Sequence, residues 1–182
     1  RQMCIRDSFN AMFTGCTALE TIPLVNTELG TDFVNMFFGC ASLQEVPLLN
    51  LGSASSIASM FNGCNQLRSV PAFNPAKATT FNTAFSGCLR LRDFPALNMS
   101  SGTSFTTFLG SNVSIGRSAA FGARFAHSYT NMALAQPEIV TIFTNLGTAS
   151  GAQTITVSSN PGYAGLTAGE RLIATGKGWT IA

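Results

Sequence analysis

Apolar positions along this chain recur in blocks, not at the period of one long helix or one alternating strand. Four blocks align without gaps, starting at Met12, Met36, Met60 and Ala84, so each begins 24 residues after the one before. They read MFTGCTALETIPLVNTELGTDFVN, MFFGCASLQEVPLLNLGSASSIAS, MFNGCNQLRSVPAFNPAKATTFNT and AFSGCLRLRDFPALNMSSGTSFTT. The common pattern is M-F-x-G-C-x-x-L-x-x-V-P-x-L-N, then a polar stretch, then Ser or Thr, any residue and Phe. A fixed period of this length marks a repeat architecture: one unit cannot bury its apolar face alone, and stacked neighbours can.

Each recurring position has a physical reading. Leu19, Leu43, Leu67 and Leu91, with Ile22, Val46, Val70 and Phe94, are expected to fill the core. Phe13, Phe37, Phe61 and Phe85 form an aromatic column on the opposite side, and Phe33, Ile57, Phe81 and Phe105 a further apolar column. Val25, Leu49, Phe73 and Leu97 are also assigned to the core, because a contiguous exposed stripe invites association. Gly15, Gly39, Gly63 and Gly87 suit a turn with positive φ. Pro23, Pro47, Pro71 and Pro95 interrupt the strand, since proline cannot donate to a ladder. Asn26, Asn50, Asn74 and Asn98 are expected to satisfy the following turn and to link each coil to the next. The segment before each Met-Phe, such as residues 55–61, reads as a short helical turn with a Ser cap. The fold class is therefore α/β, a solenoid with short strands on the concave side and short helices or 3-10 turns on the convex side.

The pattern decays after the fourth unit. Asn112 stands in the Cys position, Ile115 in the Leu position and Phe121 in the later apolar position. Beyond it, residues 125–129 predict a strand and residues 137–147 a helix, with Pro137 in the first turn, Glu138 near the positive end and Gly147 as the stop. Residues 153–157 alternate as a strand, residues 167–178 carry a Thr-x-x-Glu capping box, and residues 179–182 finish as a strand. An α/β region of this kind is expected to close the open end of the stack. The organisation predicted is residues 1–7 as a non-native leader that matches no repeat, 8–115 as the solenoid and 116–182 as the cap. Arg1 in place of Met points to a fragment or a processed product.

Composition narrows the function classes. Charged residues are 10% of the chain, against roughly 25% in an average soluble domain. Ser, Thr, Asn and Gly supply the polarity instead, which suits ladders of small hydrogen-bonding side chains. A formal net charge of +2 gives no argument for nucleic acid or an anionic membrane. No apolar run approaches the roughly 20 residues of a membrane-spanning helix.

The residues that invite chemistry have plainer readings. Cys16, Cys40, Cys64 and Cys88 recur at the repeat spacing, which matches no zinc motif, and parallel Cβ vectors on adjacent coils disfavour disulfides. They read as a buried thiol ladder; Cys4 lies in the leader. His127 is the single histidine and has no motif around it. Glu20 and Glu45 lie one repeat apart with a one-residue offset, a weak echo of a glycosidase carboxylate pair. Residues 147–151, GTASG, read as a turn and not as a phosphate loop. No catalytic residue, cofactor or metal is expected.

What fails to repeat is more informative. Between the Leu and Val positions the exposed pairs are Glu20 and Thr21, Gln44 and Glu45, Arg68 and Ser69, and Arg92 and Asp93. The concave face thus runs from acidic to basic, with Arg90 and Lys77 adding charge at the basic end. These eight paired residues are the candidate ligand contacts, because recognition on a repeating frame resides in the residues that vary.

The M-F-x-G-C-x-x-L repeats resemble the BspA-like, surface-protein class of leucine-rich repeats over about residues 8–115. The C-terminal segments NLGTASGAQTITVSSNPG and LTAGERLIATGKGWTI resemble the ends of repeat proteins among phage tail and other virion proteins. The resemblance implies an extracellular or virion-surface location. It also implies a non-enzymatic module that binds a protein or glycan on a host surface, without nucleic acid or membrane insertion, and oligomeric through whatever precedes Arg1. A bacterial cell-surface adhesion protein and a passive structural spacer are the alternatives.

Overall fold

The computed structural model describes residues 7–112, 114–118 and 121–182. Most of the leader, including Cys4, lies outside the described residues.

The 24-residue units lie against one another in parallel. Ser8, Asp32, Ser56, Thr80 and Ser104 form a continuous series of parallel bridges, each one unit from the next. The phenylalanine columns follow the same order. Phe13, Phe37, Phe61 and Phe85 stack with centroid separations of 5.3, 5.3 and 5.2 Å. These distances match the spacing of adjacent strands, roughly 4.8 Å, so backbone pairing sets the ring contacts. Each stacked pair adds ~1 kcal/mol to simple area burial. Phe73 stacks on Phe61 at 6.0 Å, which ties the column to the interior. Leu43, Leu67 and Leu91 are fully buried, as are Leu49, Phe73 and Leu97, whereas Leu19 and Val25 in the first unit are half-covered.

The segment expected to be a short helix takes another form. Residues 9–16 and their equivalents build a ribbon of tight turns. The amides of Phe9, Ala11, Phe13 and Gly15 donate to the next unit, at Asp32, Val34, Met36 and Phe38. The intervening amides of Met12, Thr14 and Cys16 donate three residues back, to Phe9, Ala11 and Phe13. Two of these turns place a residue with positive φ at their third position, as a type II turn requires. One is the glycine of the motif, Gly63 at φ 77° for example. The other is Ala11, Asn35, Ser59, Thr83 and Thr107, with φ between 50° and 57°. An α-helix fails here because alternate amides are committed to the neighbouring unit.

The expected concave strand is also reduced. Two ladder bonds remain there, from the Gln44 amide to the Glu20 carbonyl at 2.9 Å and from the Arg68 amide to the Gln44 carbonyl at 3.1 Å. Proline follows three residues after each of these donors and removes the amides that a longer ladder needs. A true two-residue pair forms at the end of the series, where β1 (Asp93–Phe94) runs parallel to β2 (Arg117–Ser118). A bridge from Asn98 to Phe121 extends it. Phe121 itself is 42% exposed, so it does not take the buried role of Leu97 that its position predicts. The asparagines act locally: the Oδ1 of Asn26, Asn50 and Asn98 accepts from the amide two residues on, closing its own turn and not joining coils.

The C-terminal region is a three-stranded parallel sheet in the order β3 (His127–Ser128), β4 (Gln153–Thr156), β5 (Trp179–Ile181). Parallel neighbours need crossovers, and α1 (Gln136–Asn145) and α2 (Ala168–Thr175) supply them. Ile139, Ile142, Phe143, Ile155 and Trp179 form the buried centre. The capping box predicted from Thr167 and Glu170 is present at the start of α2. Backbone bonds to Thr167 hold the Glu170 carboxyl below its ordinary range. Gly147 does not end α1; the chain leaves the helix at Leu146 in an extended conformation. The Lys177 ammonium closes that end instead, donating to the carbonyls of Phe143, Thr144 and Leu146 at 3.0, 2.6 and 2.9 Å.

Candidate functional site

The motif cysteines are structural in their contacts. Cys40, Cys64 and Cys88 are buried with free thiols, while Cys16 in the first unit is exposed. Each buried Sγ donates to a phenylalanine carbonyl of the preceding unit, at 3.0 to 3.2 Å. Burial, and then the neighbouring thiol, pushes Cys40 up to about 11 and Cys64 up to about 12. Such groups remain protonated thiols and poor nucleophiles at neutral pH. His127 is buried among the rings of Phe105, Tyr129 and Trp179. Its Nδ1 lies 3.1 Å from the Phe125 carbonyl, and its Nε2 has no partner among the described residues. Burial lowers its pKa to about 4, so the ring is neutral and out of reach of a substrate. Among the described residues, no group of three or more His, Cys, Asp or Glu is placed to hold a metal ion. No helix among them is long and apolar enough to cross a membrane.

The surface that varies from unit to unit is different. Seven of the eight candidate residues are exposed: Glu20, Thr21, Glu45, Arg68, Ser69, Arg92 and Asp93; Gln44 is half-covered. The two Leu-to-Val ladder bonds set Glu20, Gln44 and Arg68 in register on successive units. Buried positions here are three residues apart with two more exposed residues between them, a turn-like spacing and not the period of two of a regular strand. Leu67 and Val70 are buried while Arg68 and Ser69 reach solvent.

At the basic end the residues converge. Arg68, Arg90 and Arg92 line a cleft of about 350 Å³ together with Ser114. Arg68 and Arg92 come from equivalent positions of successive units, and Arg90 from the stretch just before the second of them. The one acidic neighbour is engaged elsewhere: Asp93 accepts from Arg117 Nε at 2.8 Å across the β1–β2 pair. Among the described residues, no carboxylate lies within ion-pair distance of Arg68, Arg90 or Arg92. Glu20, Thr21, Gln44, Glu45 and Ser69 lie outside the cleft lining, as does Lys77. Ser114 escaped the sequence reading because it belongs to the decayed fifth unit, where the motif gives no alignment to read it by.

A second surface also escaped it. Leu24 and Leu48, at the position between Pro and the buried Leu or Val, are 76% and 60% exposed and line shallow depressions with Asn26, Asn50 and Glu28. The later units carry Ala72 and Ala96 there, so the apolar character fades toward the basic end. No protein-family model, curated protein or solved structure matches the chain.

Proposed function

We propose that this chain is a non-enzymatic recognition module, built on a leucine-rich-repeat solenoid and displayed at an extracellular or virion surface. The observation that carries the reading is the cleft of Arg68, Arg90 and Arg92, three guanidinium groups without carboxylate partners among the described residues, on the face that varies from unit to unit. Three permanently charged groups facing one concavity without an internal counter-charge suit an external anion. The titratable groups that chemistry would use support a non-catalytic role. The thiols of Cys40, Cys64 and Cys88 and the His127 ring are buried in uncharged forms, and the exposed carboxylates Glu20 and Glu45 stand outside the cleft. The host-facing setting follows from the resemblance of the C-terminal segments to virion repeat proteins. The test is binding of the full chain to a panel of host-surface glycans and proteins. Saturable binding to a surface component, without turnover, is the expected result; no binding across the panel, or hydrolysis of a bound polysaccharide, contradicts the reading.

A further inference from the structure

The chemistry of the cleft restricts what it holds. Guanidinium is planar, permanently charged and matched to oxyanions through paired N–H donors. Three such groups in one concavity call for a ligand with several oxyanions close together. The rest of the lining is a hydroxyl, from Ser114, and it includes no aromatic or aliphatic side chain. That argues against two other classes of ligand. Single-stranded nucleic acid is held by bases stacked on aromatic rings, and no ring lines this cleft. A folded protein interface is usually centred on a packed, desolvated anchor, and this open cleft of charged side chains and one hydroxyl offers no apolar seat for one, which disfavours a folded protein partner. What remains is a ligand of carboxylate, sulfate or phosphate groups on a hydroxylated frame. The volume, about 350 Å³, stands at the small end of ligand clefts, which run from ~300 to ~1,000 Å³. It accommodates a short stretch of a chain and not a folded domain.

We propose that the Arg68, Arg90 and Arg92 cleft binds an acidic polysaccharide, its oxyanions paired with the guanidinium groups and a hydroxyl donating to Ser114 Oγ, whose own hydrogen is committed to the Leu89 carbonyl at 2.7 Å. Asp93, next to Arg92 in the chain, has its carboxylate held by Arg117 at 2.8 Å, which leaves it paired there and not with the cleft arginines. This inference rests on the recognition reading and names the ligand class of the same face.

The experiment is calorimetric titration of the full chain with four probes: an oligouronate, a sulfated oligosaccharide, a phosphorylated oligosaccharide and a neutral glucan of similar length. Binding by at least one anionic probe is expected, weakening ~10-fold or more in the variant Arg68→Ser, Arg90→Ser, Arg92→Ser and falling with added salt. Which anionic probe binds tightest identifies the source of the oxyanion. All three positions are exposed, so the variant keeps its fold; an unchanged thermal unfolding curve verifies this. Equal binding of the neutral glucan, no binding of any anionic probe, or tighter binding of a DNA duplex overturns the proposal. Host-surface binding that survives the triple substitution also overturns it but leaves the recognition reading standing, whereas absence of all surface binding by the unaltered chain removes that reading itself.

Discussion

Cys64 donates its thiol hydrogen to the carbonyl oxygen of Phe37 at 3.2 Å, reaching back from one unit into the previous one. Cys40 does the same to Phe13 and Cys88 to Phe61. In the decayed unit Asn112 takes over, its Nδ2 donating to the Phe85 carbonyl at 2.5 Å. The cysteine of the motif is thus a small apolar side chain that also supplies one donor to a buried acceptor. The Phe37 carbonyl accepts the Cys40 amide as well, at 3.1 Å, so loss of the thiol leaves it one partner. Cys64→Ala is expected to cost about 1–2 kcal/mol, from the lost bond and a small cavity. Urea unfolding of the two proteins measures it, and a loss under ~0.3 kcal/mol would show that the bond is idle.

The same ladder orders the thiols by reactivity. Brief native-state treatment with iodoacetamide, followed by peptide mapping, is expected to modify Cys16 and to spare Cys40, Cys64 and Cys88. Unfolding in denaturant removes the difference. Comparable native labelling of all four would refute the burial described here.

His127 makes the C-terminal sheet sensitive to acid. Its folded pKa is about 4 because burial disfavours the charged ring, against 6.5 in the unfolded chain. The unfolded state therefore binds more protons between these values. The neutral-ring contribution is complete above pH 6.5, declines as pH falls and is gone below pH 4. Its full size is about 3 kcal/mol. The comparison to make is stability at pH 7 and pH 4.5 for the unaltered chain and His127→Phe, since carboxylate effects are common to both. The difference between the two proteins should shift by ~2–3 kcal/mol; a shift near zero would mean that the ring is solvated.

Backbone strain gives a further expectation. Thr107 holds φ at 50°, a conformation that costs a β-branched residue ~1 kcal/mol or more, and its side chain makes no hydrogen bond among the described residues. Thr107→Gly is expected to raise stability by up to ~1 kcal/mol. Gly63 at φ 77° works in the opposite direction: an added Cβ meets only ordinary contacts near Gly39, so Gly63→Ala loses ~1–2 kcal/mol through conformation alone. Thermal unfolding of both variants decides, and opposite signs are the diagnostic result.

Lys177 is expected to matter more than its place in the sequence indicates. It bonds three carbonyls at the end of α1, where the helix has no basic residue of its own. Lys177→Met keeps the stem and removes the charge, at a cost of about 1–3 kcal/mol. Amide exchange should then quicken in α1 before it does in the turn ribbon; uniform exchange along the chain would argue against a local cap.

The sequence disclosed those features that periodicity or capping chemistry writes into it. The apolar columns at Leu43, Phe61 and Phe81 follow from one spacing, and α2 from a Thr and a Glu three residues apart. The turn ribbon was hidden because Ala11, Ser59 and Thr83 carry no mark of positive φ; neighbouring units impose it through their carbonyls. The capping role of Lys177 was hidden for a similar reason, since residue and helix end meet only in three dimensions. At the candidate site, Arg68, Arg90 and Arg92 were legible as charge at one end of a face. Their enclosure with Ser114 and the diversion of Asp93 to Arg117 were not, because both depend on how the irregular fifth unit docks.

The account stands on one distinction, between the face that varies and the ribbon that repeats. Surface attachment of the full chain should be measured for two variants, each with two exposed positions altered. One carries Arg68→Ser and Arg92→Ser on the varying face. The other carries Met12→Ser and Phe38→Ser on the turn ribbon, at sites 40% and 41% exposed. The expected result is attachment lost by ~10-fold or more in the first and unchanged in the second; loss confined to the second, or equal loss in both, contradicts the account.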